Sequence, residues 1–231
     1  MLGIRQPYFL DSRNWLNISG FVQRERQATF EQDEIGGNLS IERNINSVAD
    51  LVVQFSSGVV GFSADSAFAE AKIGVLVDTR DDIFDPKSGM LAQINLRERG
   101  RFLKGGEDFL QATAEGRWFR SVLLQSVIAW RAQAGVIFEL GKAGGVPNVE
   151  RFFAGGLNSM RGWGLDALGP KNEEGEPTGG LSRAEMSVEI RTRVLSFLGT
   201  ALFLDVGNVG ANLGAFRPQK LKWSAGAGLR Y

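Results

Sequence analysis

Hydrophobic and polar side chains alternate one by one along nearly the whole chain. Leu16, Ile18 and Val22 share one face, with Asn17, Ser19 and Gln23 on the other. Leu39 and Ile41 oppose Asn38, Ser40 and Glu42, and Ile73, Val75 and Val77 oppose Lys72 and Asp78. Met90, Ala92, Ile94 and Leu96 oppose Gln93, Asn95, Arg97 and Arg99. The pattern continues through Leu110–Trp118 and Ile128–Phe138. It resumes with Met186, Val188 and Ile190 against Glu185, Ser187 and Glu189. Leu202, Leu204 and Val206 then oppose Asp205, and Trp223, Ala225, Ala227, Leu229 and Tyr231 oppose Lys222, Ser224 and Arg230. A period of two specifies strands rather than helices. With an opening strand near Leu2–Phe9, the count comes to about eleven.

The two faces differ in a way that bears on the surroundings. The apolar face is thin and rich in alanine, whereas the other carries Glu115 and Arg117, Arg131 and Glu139, then Glu189, Arg191 and Arg193. Opposite charges on successive strands suit a wet interior, with apolar residues turned out to lipid. A soluble β-sandwich also alternates, and alternation by itself leaves it open. The connections sharpen the picture. Tight ones are expected at Asp11–Arg13, Asn46–Val48, Arg120–Val122 and Leu195–Leu198. Long ones are expected around Gln32, at Gly58–Ser66, Gly100–Asp108, Gly141–Gly180 and Val209–Leu221. One tight end and one looped end is the asymmetry of an outer-membrane barrel. The exception is Asp78–Gly89, a longer turn at the tight end. Its aspartates could hold Ca²⁺, but the spacing is not that of an EF-hand. Asp and Pro86 followed by Gly89 read instead as turn chemistry.

Composition narrows the function classes. The chain has 231 residues with 30 Gly, 16 Phe, no His and no Cys, and its 26 Lys+Arg balance 26 Asp+Glu. Balanced charge supplies no bulk field for nucleic acid. Without histidine, no Ser-His-Asp triad can be built within the chain. No phosphate loop, zinc pattern or dinucleotide fingerprint appears, so no cofactor or metal is expected. The longest apolar run, Ser121–Trp130, is too short for a membrane helix, which needs about 20 residues. No signal peptide precedes Gly3.

The connection Gly141–Gly180 holds eleven glycines among aromatic residues. Such a loop is expected to fold back and dock. At its centre stands Arg151-Phe152-Phe153-Ala154-Gly155-Gly156-Leu157-Asn158-Ser159-Met160-Arg161-Gly162-Trp163. This stretch resembles the signature loop of the BamA/TamA superfamily of outer-membrane assembly factors, the bacterial surface antigen family. Four further stretches are similar to family segments in the expected order. They are the Asp78–Gly89 turn, Gly179–Ser182 leading to Glu185 and Glu189, Phe203–Asn208, and Ser224–Tyr231. The post-loop strands look closer to the TamA branch.

The resemblance implies an all-β fold, an antiparallel up-and-down transmembrane β-barrel with a long inward-folding loop. It implies a signature loop whose Arg151, Phe152, Phe153, Gly155, Gly156, Ser159, Arg161, Gly162 and Trp163 carry the docking. Arg161 is expected to meet Asp205 on the inner wall, with Glu189 as second candidate. Family members close their barrels with about sixteen strands. Residues 1–231 are therefore expected to form a partial barrel domain, about eleven strands from about the fourth to the fourteenth. The periplasmic repeat domains of family members are absent from these residues, and they and the signal peptide are expected to have been lost upstream. The implied function is non-enzymatic assembly or translocation in the outer membrane of a Gram-negative-type bacterium, through strand pairing at a lateral seam. Its partners would be outer-membrane lipid, client outer-membrane or secreted proteins, and a periplasmic or inner-membrane assembly partner reached through the other domains. A two-partner secretion pore is the alternative, and an outer-membrane enzyme with its catalytic domain elsewhere is the third reading.

Overall fold

The computed structural model describes residues 2–27, 30–60, 67–100, 108–122, 125–141, 145–195, 197–215 and 220–230. The strands are β1 (Leu2–Pro7), β2 (Asn14–Gln27), β3 (Phe30–Asn46), β4 (Ala49–Val60), β5 (Ala67–Asp78) and β6 (Gly89–Arg99). They continue as β7 (Phe109–Val122), β8 (Ser126–Glu139), β9 (Ser182–Arg193), β10 (Gly199–Gly210) and β11 (Lys222–Arg230). All eleven lie in one sheet in chain order, each hydrogen-bonded to the next. This is the antiparallel meander that period-two patterning and short reversals dictate. Among the described residues no helix is long and apolar enough to cross a membrane.

The sheet is polar where it is covered and apolar where it is bare. On β10, Leu202 is 60% and Leu204 50% exposed, while Asp205 between them and Val206 is 0% exposed. The same reversal recurs at Ile18, Leu39, Ile73, Ile94, Trp130, Ile190 and Trp223, all exposed. A soluble sandwich would bury these residues in a dry core about 10 Å thick. Bare Leu, Ile or Trp residues recur on β1 to β3 and on β5 to β11, and they suit a hydrocarbon solvent instead. Trp118 and Trp130 pack edge to face at 6.3 Å between centroids on this apolar face.

Two compact units make up the chain. One comprises Met1–Leu76, Ile94–Thr113 and Ile137–Arg151, and the other Val77–Gln93, Ala114–Val136 and Phe152–Tyr231. In the first, β2 and β3 pair from Asn14↔Arg43 out to Gln27↔Phe30. Arg43 ties this ribbon to its turn, bonding Asn14 at 3.2 Å and Asp11 at 3.2 Å. In the second, Asp205 lies opposite Ser187 of β9 and Ser224 of β11. Its small apolar core is Ala154, Met160 and Leu168 of the long connection against Val209 of β10, with Phe152 and Trp163 packed on it.

Three boundaries differ from the sequence expectation. Gln32 is not in a loop: it pairs with Glu25 within β3, and the connection shrinks to residues 28–29, outside the described residues. Glu-Gln-Asp-Glu is polar enough to read as a turn, yet ladder pairing with the equally polar Gln23–Gln27 carries the hairpin through it. Arg120–Val122 ends β7 rather than turning, and the reversal follows it. β1 stops at Pro7, whose ring removes a ladder donor, rather than at Phe9. Of the expected long connections, residues 61–66, 101–107, 142–144 and 216–219 lie outside the described residues, as does Tyr231.

The Asp78–Gly89 turn shows what its aspartates do. Asp81 Oδ1 accepts the backbone N–H groups of Lys87 at 2.9 Å, Asp82 at 3.0 Å and Ser88 at 3.1 Å. Asp82 Oδ1 accepts those of Phe84 at 2.7 Å and Asp85 at 2.8 Å. Asp78 chelates the Arg80 guanidinium. Gly89 has φ +92°, and a Cβ there would lie 2.1 Å from the Thr79 carbonyl oxygen, so only glycine fits. Backbone donors from Lys87 and then Ser88 hold the Asp81 carboxyl below its usual range, and donors from Asp85 and then Phe84 do so for Asp82.

Two outcomes are expected. Leu204→Arg should destabilise the membrane-folded protein by about 2–4 kcal/mol if the site is near the bilayer midplane, measured by folding titration into vesicles; a change near zero would contradict a lipid-facing β10. Because Asp81 and Asp82 are depressed on folding, their contribution to turn order is complete above the unfolded value of about 3.9 and is lost as pH falls through the lower folded value. Hydrogen exchange at Phe84, Asp85, Lys87 and Ser88, corrected for intrinsic rates, should stay flat above about pH 4 and accelerate only below it.

Candidate functional site

The connection between β8 and β9 folds on itself before it meets the sheet. Phe152 and Gly180 exchange backbone hydrogen bonds at 2.9 Å in each direction, closing its neck. Leu168 N–H donates to the Ala154 carbonyl at 3.0 Å, and Gly156 N–H to that of Trp163 at 3.1 Å. The glycines make these approaches possible. Gly155 has φ +121°, and a Cβ there would sit 2.2 Å from the Gly164 carbonyl oxygen. Gly162 turns the chain at φ +83° just after Arg161. Ser159 acts as an internal cap: its Oγ accepts Gly155 N–H at 3.0 Å and donates to Glu185 at 2.8 Å.

Arg161 projects from the tip of this fold onto the polar face of β9 and β10. Its Nε bonds Asp205 Oδ2 at 2.8 Å and its Nη2 bonds Asp205 Oδ1 at 2.7 Å, a bidentate fork. The Arg161 backbone N–H adds a third bond to Oδ2 at 3.0 Å. Nη1 donates to Glu189 at 2.5 Å and Nη2 also to Ser187 Oγ at 2.8 Å. Ser187 in turn donates to Asp205 at 2.6 Å. The guanidinium lies 3.6 Å over the Phe203 ring, so its plane is stacked as well as paired. Burial works against the charged form of Arg161, but the bonds to Asp205 and Glu189 outweigh it and raise its pKa.

The two acids named from the sequence are therefore partners at once rather than alternatives. Trp163 packs on the small core, with Lys222 5.8 Å over its ring. Phe152 lays its ring on Gly135 of β8, where any Cβ would approach within 2.4 Å. Arg151 is not part of the cluster: its Nε donates to the Val146 carbonyl at 2.9 Å. Four further residues, Ser187, Phe203, Glu185 and Arg131, belong to the cluster, although the sequence did not single them out as partners of the loop. Arg131 bonds the carbonyls of Asn158 at 2.5 Å and Ser159 at 3.2 Å. Parity placed all four on the polar face, and that was the available signal.

The Arg161 guanidinium, Asp205, Ser187 and Glu189 thus form one continuous hydrogen-bonded group between the connection and the sheet. A family model described as the Omp85 superfamily domain matches residues 1–231. The chain belongs to the Omp85 superfamily. Outer membrane protein assembly factor BamA of Nitratidesulfovibrio vulgaris is 29% identical over 158 residues, covering 67% of this chain and 20% of the relative. Sorting and assembly machinery component 50 homolog A of Xenopus laevis is 29% identical over 175 residues, covering 67% and 36%. A crystal structure of BamA from Haemophilus ducreyi lacking POTRA domains 1-3 superposes with a TM-score of 0.82 at 16% identity, covering 97% of this chain and 54% of that one. The chain thus spans about a fifth to a third of the curated relatives it matches. This Omp85 chain shares the fold of the BamA barrel, and it is an outer-membrane protein.

A double-mutant cycle tests the lock. Arg161→Ala or Asp205→Ala should each cost about 3–5 kcal/mol if the pair is fully desolvated, and less where water enters. The double variant should be clearly less damaged than the sum, read from protease protection of the connection in the complete protein. Arg161→Lys should recover only part of the loss, because an ammonium cannot form the fork. Additive single effects would mean that the pair is not coupled.

Proposed function

We propose that this Omp85 chain is the barrel portion of an outer-membrane assembly or translocation factor that works without catalysing a covalent step. The observation that carries the reading is the Arg161 fork on Asp205 and Glu189 beneath a sheet whose other face is bare and apolar. A loop locked to the wall keeps the strands in register at the site where it sits. A client strand then adds by backbone pairing at a seam of the complete barrel, where unpaired N–H and C=O groups act as a template. The names of the BamA and sorting-and-assembly relatives support this assignment. Periplasmic repeats outside these residues would bring the client or a further assembly partner to the seam. Arg151, Phe153 and Gly156 would serve the loop's fold, and Arg161, Ser159, Gly155, Gly162, Phe152 and Trp163 its docking.

Reconstitution of the full-length protein in lipid vesicles tests this. An unfolded outer-membrane client should acquire heat-modifiable gel migration faster with the protein than with empty vesicles, and Arg161→Ala should abolish most of that gain. Equal rates with and without the protein would contradict an assembly role. Ion conductance coupled to export of a secreted client, with no gain in insertion, would favour the secretion-pore reading.

A further inference from the structure

The connection is held at a second place, on a different strand. Asn148–Glu150 form a single 3-10 turn at the start of the described loop, and Glu150 is buried at its end. Its carboxylate is gripped by two arginines of β6. Arg97 Nη2 bonds Oε2 at 2.5 Å, and the Arg99 guanidinium bonds Oε1. Arg97 also pairs with Glu70 of β5 at 3.2 Å and lies 5.3 Å over the Phe109 ring. Arg99 is only 2% exposed and Phe109 is fully buried. Around this group the backbone is tied down. Val146, 1% exposed, receives the Arg151 Nε on its carbonyl and gives its N–H to Glu139 at 3.3 Å.

A buried carboxylate between two guanidiniums is costly to leave half-made, because each unpaired charge would sit in a poorly solvated pocket. Exposed acids of the same connection, such as Glu173 and Glu174, carry no such constraint. The Glu150 group and the Arg161 group share no residue: the first is built from β5, β6 and the loop's leading limb, the second from β9, β10 and its tip. We propose that Glu150 is a second anchor, a positioning residue that fixes the leading limb of the signature loop on β6 independently of the Arg161 lock. The role in assembly rests on the reading given above; the anchoring itself does not.

The absence of native cysteine provides the test. A single cysteine introduced at Val146 reports the leading limb, and one introduced at Met160, which is 0% exposed, reports the tip. Both are labelled with a maleimide in the full-length protein folded in vesicles. Glu150→Gln should raise labelling at Val146 by about tenfold or more, as loss of a charged hydrogen bond does, and leave Met160 slow. Arg161→Ala should do the reverse. Exchanging the charges, with Glu150→Arg and Arg99→Glu together, should bring Val146 labelling back within about threefold of the parent, a rescue that a space-filling role would not produce. Should Glu150→Gln fail to fold, as read by heat-modifiable migration, Glu150→Asp should give intermediate labelling. Unchanged labelling at Val146 in the folded Gln variant, or in Glu150→Asp where Gln does not fold, overturns the anchor, as does a charge exchange that rescues nothing. Labelling that behaves as expected while Arg161→Ala leaves client insertion intact would sink the assembly role and leave the anchor standing.

Discussion

Asp205 is a carboxylate with no exposed surface in the middle of a strand whose neighbours Leu204 and Leu202 are bare. Such a charge persists only when it is fully paired, since stripping water from an ion costs several kcal/mol even after relaxation. The pairing comes from a side chain 44 residues away in sequence, through two guanidinium bonds and a backbone N–H, with Ser187 filling the remaining position. That requirement fixes where the loop tip must be. It also explains the glycines: the backbone of residue 161 has to come close enough to donate, and Gly162 supplies the turn that follows. The carboxylate and the loop define each other.

The second constraint is the reversed amphipathy of the sheet. In water, bare Ile18, Trp130, Ile190 and Leu204 would drive aggregation. In hydrocarbon they cost nothing, and the backbone between them is satisfied by neighbouring strands. Stability of the wall is thus shared between lipid on one face and ion-pair networks on the other. Arg183, Arg131 and Ser159 meet at Glu185, while Arg161, Arg191 and Arg230 meet at Glu189. The signature loop is a member of these networks through Arg161 and Ser159.

Most of the fold was legible in the sequence because a strand exposes its period directly. Strand number, chain order and the sense of each face follow from alternation at sites such as Leu202, Leu204 and Asp205. The boundary near Gln32 was not legible, because a strand with polar residues on both faces carries no periodic signal and only pairing with β2 defines it. The family loop pointed to Arg161 and both acids, but not to their simultaneous use, which depends on the lateral spacing of β9 and β10. Ser187 and Phe203 lay on the right face by parity. Neither residue type announces a guanidinium partner until the register Phe203↔Glu189 and Asp205↔Ser187 sets them side by side. Glu150 was invisible for a similar reason: its partners Arg97 and Arg99 lie about 50 residues upstream.

The central claim is that the loop tip rests on the polar face of the terminal strands in the native membrane. The most direct measurement is cross-linking, with a short bifunctional maleimide, of cysteines introduced at Trp163 and Lys222, since the Lys222 ammonium lies 5.8 Å from the centre of the Trp163 ring. A control pair replaces Ser126 and Thr192, whose hydroxyls lie 2.8 Å apart between β8 and β9. The account predicts that both pairs cross-link in intact outer membranes, and that Asp205→Asn reduces the loop pair while sparing the control. A control pair that cross-links readily beside a loop pair that never does would contradict it.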